Sequence, residues 1–235
     1  MDERRPVVAL RSSPSLVDIA HEAIVEAIVQ RHFEAGKRVT IDQIAHDLSM
    51  SITPVREALM QVAADGLLIQ SRNRGFAVAP LLTFTTYHQL FAMRRLLETN
   101  AVGTAVVTDG DLLAISATQA KMDALEPSTD YSMYHHFNQL DETFHRQVVM
   151  LAGNPFLTDA WNNLHFHIQI SRLYAGQGVI DHENAHVEHA EIVDALAAGR
   201  LDEATNAVQS HIAGAETRLI HLLPPAEPPI GSGPS

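Results

Sequence analysis

The 235-residue chain contains no cysteine. That absence excludes disulfides, zinc sites built on thiolates and cysteine nucleophiles. No apolar run approaches the roughly 20 residues that span a bilayer.

The opening stretch "MDERRPVVALRSSPS" has no apolar core followed by a small-residue cleavage site, so we expect no signal peptide. With 46% hydrophobic and 19% charged residues, the composition predicts a globular cytoplasmic protein with one large or two modest domains.

Positive charge is scarce, and its distribution divides the chain. The net charge is −12. Residues 1–80 hold nine Lys and Arg against ten Asp and Glu, whereas residues 81–235 hold seven against eighteen. Because a strongly acidic surface repels a polyanion, any contact with nucleic acid is expected in the first 80 residues.

Residues 14–80 predict a first domain that begins with two helices. Apolar residues recur at helical spacing from residue 16 to residue 28, and Gly36 is predicted to end that helix. Thr40 and Gln43 predict a capping box at the start of a short helix over 41–48.

A third helix and a hairpin complete this domain. Ser51 is a favourable N-cap for a helix that runs to about Asp65, and Pro54 lies in its first turn, where a missing N–H costs little. The stretch "LLIQSRNRGFAVAP" alternates apolar residues around a turn at 73–75 and predicts a two-stranded wing. The order predicts a winged helix-turn-helix, whose third helix enters the major groove of DNA.

Polar and basic residues on the predicted third helix and wing are the candidates for DNA contact. Each arginine taken alone is best explained as solvated surface, as most arginines are, but their shared placement on the third helix and wing favours a DNA interface. The candidate residues are Arg38, Ser51, Thr53, Pro54, Arg56, Arg72, Arg74 and Gly75.

The motif "SMSITPVREALMQVAADGLL" followed by "NRGFAV" resembles the DNA-binding domain of GntR-type bacterial transcription regulators. The resemblance covers roughly residues 14–80 and implies a winged helix-turn-helix that binds an operator. One position departs from the family pattern, because Ile52 stands where an arginine usually helps to read the operator. A family-typical operator is therefore not expected.

Residues 83–223 predict a second domain made only of helices. Periodic blocks near 83–107, 109–125, 129–151, 155–175, 180–198 and 201–222 are separated by glycine and proline breaks. The predicted fold is mainly α: an N-terminal winged helix-turn-helix and a C-terminal all-α bundle of six to seven helices. We expect residues 1–13 to be flexible and the Pro/Gly/Ser-rich tail 224–235 to be disordered.

Two of the fourteen histidines are predicted to face each other near the end of the chain. The turn between the last two helical blocks centres on Arg200, with His189 eleven residues before it and His211 eleven after it. In an antiparallel hairpin both then lie roughly 16 Å from the turn. Each shares a face with apolar residues, so both imidazoles are expected inside the bundle, where a metal ion can satisfy both.

The stretch "QLDETFHRQV" adds Asp141 and His145, four residues apart on one helix face. Neighbouring apolar residues orient that face inward. With the hairpin pair they predict a site of one carboxylate and three imidazoles, a donor set that suits zinc above all, or nickel, manganese or iron. The predicted metal ligands are Asp141, His145, His189 and His211.

Other histidines compete for this role. His182 and His186 share the face of His189, but the residues that mirror them across the turn are Arg218 and Gly214, so they rank lower. His165 is predicted to lie level with Asp141, as a spare ligand or a residue that supports one. Four further histidines are interpreted as ordinary surface or core residues with no role in metal binding. They are His135, His136, His167 and His221.

Several motifs follow in order: R-x-x-L-E at 94–98, D-x-x-F-H at 141–145 with Gly153–Asn154 after it, E-H-x-x-I at 188–192, and His211. Their order resembles the FCD ligand-binding domain of FadR-type GntR regulators. The resemblance implies that the Asp and the three His bind a divalent metal, which holds a small carboxylate effector together with the arginine. The candidate effector-binding residues are Arg94, Glu98, His165 and His186.

The expected function is a ligand-responsive transcription regulator, with a repressor expected and an activator left open. Two recognition helices about 34 Å apart would require a homodimer on a palindromic operator. An alternative is a metal-dependent hydrolase, but the sequence has no HExxH motif and no evident general base beside the ligands. A second alternative is a regulator with a purely structural metal and a non-carboxylate effector. The effector and the operator sequence stay open.

Overall fold

The computed structural model describes residues 14–71, 75–126, 128–172 and 182–223. The chain divides into two compact units, one up to Ala79 and one from Pro80 onward. The first unit combines helices with a small sheet, and the described part of the second is helical. This architecture confirms the predicted fold class of a winged helix-turn-helix followed by a helical bundle.

The N-terminal unit has the element order of a winged helix-turn-helix. Its sheet has the order β1-β3-β2 with antiparallel neighbours, and Phe76 pairs with Val39 on one side and with Gln70 on the other. Strand β1 was not predicted from the sequence. The elements are α1 (Leu16–Val29), β1 (Arg38–Val39), α2 (Ile41–Asp47), α3 (Ile52–Ala64), β2 (Leu68–Ser71) and β3 (Gly75–Val78).

Two local predictions in this unit are wrong. Helix α1 ends at Val29 rather than near Gly36, because Arg31 adopts a left-handed conformation (φ 59°) and directs the chain out of the helix. Thr40 does cap α2, since its hydroxyl accepts from the backbone N–H of Gln43. The side chain of Gln43, however, donates to Asp47 instead of returning to the cap, so the box is only half formed.

The third helix begins where the sequence predicted, with Ser51 at its N-cap, although the Ser51 side chain makes no capping bond. Its buried face packs against α1. Its core residues are Val55, Ala58, Leu59 and Val62.

The second unit consists of helices α4 to α10 and a closing 3-10 turn in its described part. The block predicted over 155–175 is two helices, because His165 adopts a left-handed conformation (φ 46°) between them. The bounds are α4 (Phe84–Gly103), α5 (Asp109–Asp123), α6 (Tyr131–Met150), α7 (Pro155–Asn162), α8 (Phe166–Ser171), α9 (His182–Ala197), α10 (Leu201–Leu219) and the turn Ile220–Leu222. No helix in these described ranges is long and apolar enough to cross a membrane.

The helical core encloses polar side chains at its centre. Helix α10 packs against α4 and α9, and α5 packs against α6 and α9. Apolar residues such as Phe144, Ile192 and Val208 are fully buried. A buried polar group costs free energy unless it is paired with another group. The polar side chains in this core must therefore be paired with other polar groups; they include Arg94, Glu98, His145, His189 and His211.

Candidate metal centre and its surroundings

The two histidines of the α9–α10 hairpin lie side by side at the centre of the helical unit. The hairpin turns through Gly199, whose φ of 69° is a conformation that glycine adopts without strain. Nε2 of His189 lies 3.4 Å from Nε2 of His211. Both residues are buried. The structure thus brings together the pair that equal spacing from the turn predicted to be neighbours.

Helix α6 directs Asp141 and His145 toward the same point. Oδ1 of Asp141 lies 3.7 Å from Nε2 of His145 and 3.5 Å from Nε2 of His189. One nitrogen from each of the three histidines lies within 4.8 Å of the others. The arrangement is therefore a cluster of three buried imidazoles with one carboxylate beside them.

Two glutamates hold the rings of His145 and His211 in this orientation. Nδ1 of His145 lies 2.8 Å from Oε2 of Glu98, and Nδ1 of His211 lies 2.8 Å from Oε2 of Glu188. Since a carboxylate accepts, each Nδ1 carries the proton and donates it. In the neutral form of each ring, Nε2 then offers its lone pair to the centre of the cluster, which is how protein imidazoles are prepared for a metal.

A neutral amide orients the third ring. Gln119 on α5 donates its amide N–H to Oδ1 of Asp123, at 2.7 Å. The amide oxygen of Gln119 therefore faces Nδ1 of His189, at 3.2 Å. The ring of His189 also stacks on Phe144, with centroids 4.1 Å apart.

The charges of the cluster shift the pKa values of its acidic members. Burial opposes the ionisation of Asp141, but His145 and His167 outweigh it and hold the pKa of this carboxyl well below its usual range. Burial also opposes the ionisation of Glu98, and Arg94 and His145 overcome it, so its pKa is lowered too. Burial and Arg94 lower the pKa of His145, but Glu98 and Asp141 outweigh them and raise it. Both carboxylates are therefore charged at neutral pH.

The other two imidazoles stay neutral. Burial, reinforced by neighbouring positive groups, holds the pKa values of His189 and His211 well below the usual histidine range. Metal ligands must be deprotonated, so these two residues are already in the form that coordinates a cation.

The three histidines are grouped closely enough to hold a divalent cation, with Asp141 beside two of them. Ligand atoms about 2.0–2.1 Å from a tetrahedral zinc ion lie roughly 3.4 Å from one another. Three of the six pairs among these four donors lie near this distance, at 3.4, 3.5 and 3.7 Å, and the three histidine nitrogens all lie within 4.8 Å of one another. Nε2 of His145 is moreover buried and has no hydrogen-bond partner among the described residues, and leaving such a group unpaired costs about 1–3 kcal/mol. Coordination would satisfy it.

Arg94 and Glu98, both predicted to bind an effector, occupy different positions. Glu98 is fully buried and accepts from Arg94 Nε at 2.8 Å, from the indole of Trp161 at 2.9 Å and from His145. It supports the cluster and is not among the described residues that line the cavity beside Arg94. Arg94, in contrast, lines a cavity of about 40 Å³ that also reaches Asp141 and His211. Within the part of the chain that the structure describes, its Nη2 has no hydrogen-bond partner.

The histidines predicted to surround the site are placed differently from our expectation. His167, interpreted from sequence as ordinary, is buried, and its Nε2 lies 2.7 Å from Oδ2 of Asp141. His165, predicted beside Asp141, is the half-buried residue at the break between α7 and α8. His186, predicted to bind the effector, is exposed and pairs with Asp123. His182 lies near the backbone oxygen of Met122.

The candidate DNA-binding residues of the N-terminal unit lie mostly on its exposed surface. Gly75 begins β3 with a φ of 75°, a conformation that favours glycine. Pro54 is half-buried in the first turn of α3. Arg72 and Arg74 lie outside the described residues. The exposed candidates are Arg38, Ser51, Thr53 and Arg56.

Sequence reasoning missed several residues that support the cluster. Gln119 carries a weak signal, since Asp123 follows it four residues later on the same helix face. Glu188 was noticed in a motif but given no role. Trp161, the single tryptophan, and His167 gave no usable signal, because their contacts come from distant helices.

Comparison with known proteins identifies both units. Residues 89–214 match the FCD domain, and residues 16–78 match the bacterial regulatory proteins of the gntR family. The chain is 30% identical over 197 residues to the Nta operon transcriptional regulator of Aminobacter aminovorans, covering 83% of this chain and 90% of that protein. It is also 30% identical over 197 residues to the probable D-xylose utilization operon transcriptional repressor of Paenarthrobacter nicotinovorans, covering 81% and 82%.

A solved structure shares the fold. The Escherichia coli protein McbR/YncC matches with a TM-score of 0.69 and 19% identity, over 88% of this chain and 98% of that one. The matched families and relatives are DNA-binding transcription regulators rather than enzymes. This finding removes the hydrolase alternative.

Proposed function

Because the chain belongs to the GntR family of transcription regulators and carries an FCD domain, we propose that it is a repressor controlled by a metal-anchored carboxylate effector. The observation that carries the proposal is the meeting of three buried imidazoles, with the Asp141 carboxylate beside two of them, at a cavity lined by Arg94. Nη2 of that arginine has no hydrogen-bond partner among the described residues.

The metal would be held by Asp141, His145, His189 and His211. Neutral imidazoles with one carboxylate suit zinc, and also nickel, manganese or iron(II). When bound, the ion supplies positive charge in a domain that is otherwise strongly acidic. The protein's own contribution is to keep the donor atoms deprotonated and oriented, through Glu98, Glu188 and Gln119.

Arg94 would hold the effector carboxylate. Its Nε is fixed by Glu98 at 2.8 Å, and its guanidinium carbon lies 4.1 Å from the centroid of the Phe166 ring. The guanidinium is thereby held in place, while Nη2 stays available at the cavity. A fixed arginine donates to a carboxylate with good geometry and a small entropy cost.

The N-terminal unit would bind operator DNA as half of a homodimer in the cytoplasm. Helix α3 would enter the major groove with Thr53 and Arg56, and the wing would contact the DNA backbone. Two such helices about 34 Å apart would match a palindromic operator. Effector binding must favour one arrangement of the dimer over another to change DNA affinity, and we expect it to release the operator.

The test begins with metal content. The purified protein should carry about one divalent ion per chain by inductively coupled plasma mass spectrometry, and His189→Ala should lose it. His135→Ala is the matched control, because His135 is exposed on the helix that carries His145. Circular dichroism checks that each variant is folded. No ion in the wild type after incubation with zinc, nickel and manganese would refute the metal site.

Regulation is tested separately on operator DNA selected from a random library. Fluorescence anisotropy of metal-loaded protein should show release of that DNA when small carboxylates are added. If removing the ion unfolds the bundle while no organic acid changes DNA affinity, the metal is structural and the effector proposal fails.

A further inference from the structure

The cavity beside Arg94 is lined mainly by apolar side chains. Among the described residues the apolar lining consists of Phe137, Phe166, Ile170, Ala185, Ala215 and Leu219. Buried apolar walls cannot satisfy many hydroxyl groups, and each unpaired buried hydroxyl weakens binding.

Two buried donors of the residues that line this cavity have no hydrogen-bond partner among the described residues. They are Nη2 of Arg94 and Nδ2 of Asn138. Asn138 lies on α6 one turn before Asp141, and both line the same cavity. A ligand that offers acceptor atoms to Arg94 and to Asn138 would satisfy both, whereas a ligand with a single acceptor group leaves one donor unpaired.

The charge of the site favours a single negative charge on the ligand. A divalent ion contributes +2 and Arg94 +1, while Asp141 and Glu98 contribute −1 each, and the His ligands are neutral. Glu188 is balanced by Arg218, which donates to it at 2.9 and 2.7 Å. The buried site therefore carries about +1, which one carboxylate neutralises; a second carboxylate would lie unpaired among apolar side chains.

On the basis of the proposed function, we infer that the effector is a small monocarboxylate with an apolar body and one hydroxyl or oxo oxygen near the carboxylate. Arg94 holds the carboxylate, Asn138 donates to the second oxygen, and the aromatic and aliphatic wall encloses the body. The apolar wall excludes polyhydroxylated sugar acids, because it leaves their hydroxyl groups unpaired. The charge of the site excludes dicarboxylates, because it neutralises only one carboxylate.

The test is isothermal titration calorimetry of the full chain loaded with one zinc ion, using four acids of similar size. They are 2-hydroxy-3-methylbutanoate, 3-methylbutanoate, 2,3,4-trihydroxybutanoate and malate. We expect 2-hydroxy-3-methylbutanoate to bind at least tenfold more tightly than trihydroxybutanoate and malate. Asn138→Leu should abolish the preference for 2-hydroxy-3-methylbutanoate over 3-methylbutanoate, and Asn162→Leu, on the exposed surface of α7, should retain it.

The outcomes separate this inference from the function on which it rests. Tighter binding of trihydroxybutanoate or malate would overturn the inference and leave carboxylate control in place. An unchanged hydroxyl preference in Asn138→Leu would remove Asn138 from the site. Absence of binding by every acid to zinc-loaded protein would overturn both the inference and the proposed carboxylate effector.

Discussion

The guanidinium of Arg218 holds the carboxylate of Glu188 with two hydrogen bonds, Nη1 to Oε1 at 2.9 Å and Nη2 to Oε2 at 2.7 Å. The same Glu188 oxygen, Oε2, accepts from Nδ1 of His211. The orientation of one predicted metal ligand thus depends on a residue seven positions further along α10. The contact requires space at Gly214, where an added Cβ would lie 2.5 Å from Arg218 Nη1 and 3.1 Å from Glu188 Oε1.

We expect Gly214→Ala to weaken zinc binding about tenfold, because loss of a group that orients a ligand typically costs 10–100-fold. The helix itself should not suffer, since alanine is favoured over glycine in a helix by about 1 kcal/mol. Competition with a chromophoric chelator measures the affinity. Gly103→Ala, on α4 with its nearest neighbour atom 3.8 Å away, is the control. Wild-type affinity in Gly214→Ala would show that the Arg218–Glu188 pair does not position His211.

Glu98 connects three buried groups, so its charge should matter for stability. It accepts from Arg94, His145 and Trp161 and is fully buried. Glu98→Gln keeps the shape but leaves the Arg94 charge uncompensated, and breaking a buried ion pair costs about 3–5 kcal/mol. Urea unfolding followed by the emission of Trp161 should show a loss of this order.

The matched control for this loss is Glu191→Gln, an exposed glutamate on α9. Its effect on the free energy of unfolding should stay within about 0.5 kcal/mol. If both variants unfold at the same urea concentration, the ion pair contributes nothing to the stability of the helical unit.

Ile52 should give the protein a preference for thymine. It is the first residue of α3 and is 46% exposed, at the end of a recognition helix where side chains contact base edges. An apolar side chain there contacts the C5 methyl of thymine, and burying one methyl contributes about 0.8 kcal/mol, roughly fourfold in affinity.

The measurement replaces each thymine of a selected operator by deoxyuridine, which removes only the methyl group. One position in each half-site should lose about fourfold in affinity with wild-type protein. Ile52→Ala should be insensitive at that position while still binding the site. A wild type that binds every deoxyuridine variant equally well would exclude the contact.

His21 should make the N-terminal unit less stable as the pH rises. Its Nε2 lies 2.6 Å from Oδ2 of Asp65, and that hydrogen bond, aided by nearby acidic charges, raises the pKa of His21 against the effect of burial. Because the pKa is raised on folding, the contribution is fully present below about pH 6.5 and is lost as the pH rises through the folded value. Its size is at most about 1 kcal/mol for this partly exposed pair.

Hydrogen exchange of the α1 and α3 amides, corrected for intrinsic rates, measures this dependence. The difference in protection between wild type and His21→Asn should be largest near pH 6 and should shrink toward pH 8.5. His32→Asn, an exposed histidine beyond α1, should show no such trend. A difference that stays constant or grows with pH would contradict the assignment.

The proximity of His189 and His211 could be predicted from the sequence because it depends only on two consecutive helices and the turn between them. Helical periodicity defines the inward faces, and a short turn makes the two helices antiparallel. Because both histidines are equally far from Arg200 along the chain, they lie opposite each other. The same periodicity placed Asp141 and His145 on one face. The order of the helices followed from glycine and proline positions.

Contacts between distant helices were decided only by tertiary packing. His165 was predicted beside Asp141 on the assumption of one continuous helix, but the left-handed residue at that position breaks it, and His167 takes the place. The contacts of Gln119, of Trp161 and of the Arg218–Glu188 pair likewise join helices that are distant in sequence. Their roles depend on the distance and rotation between helices, which local periodicity does not encode.

By itself, the sequence determined the two-domain plan, the mainly helical fold and the four residues that meet at the centre, because repeating apolar positions and turn residues act over a few residues. The tertiary structure alone decided which groups orient those four, where the cavity lies and which of its donors have no partner. Those features arise where side chains from α4, α5, α6, α8, α9 and α10 pack together, and packing is satisfied by the whole bundle at once.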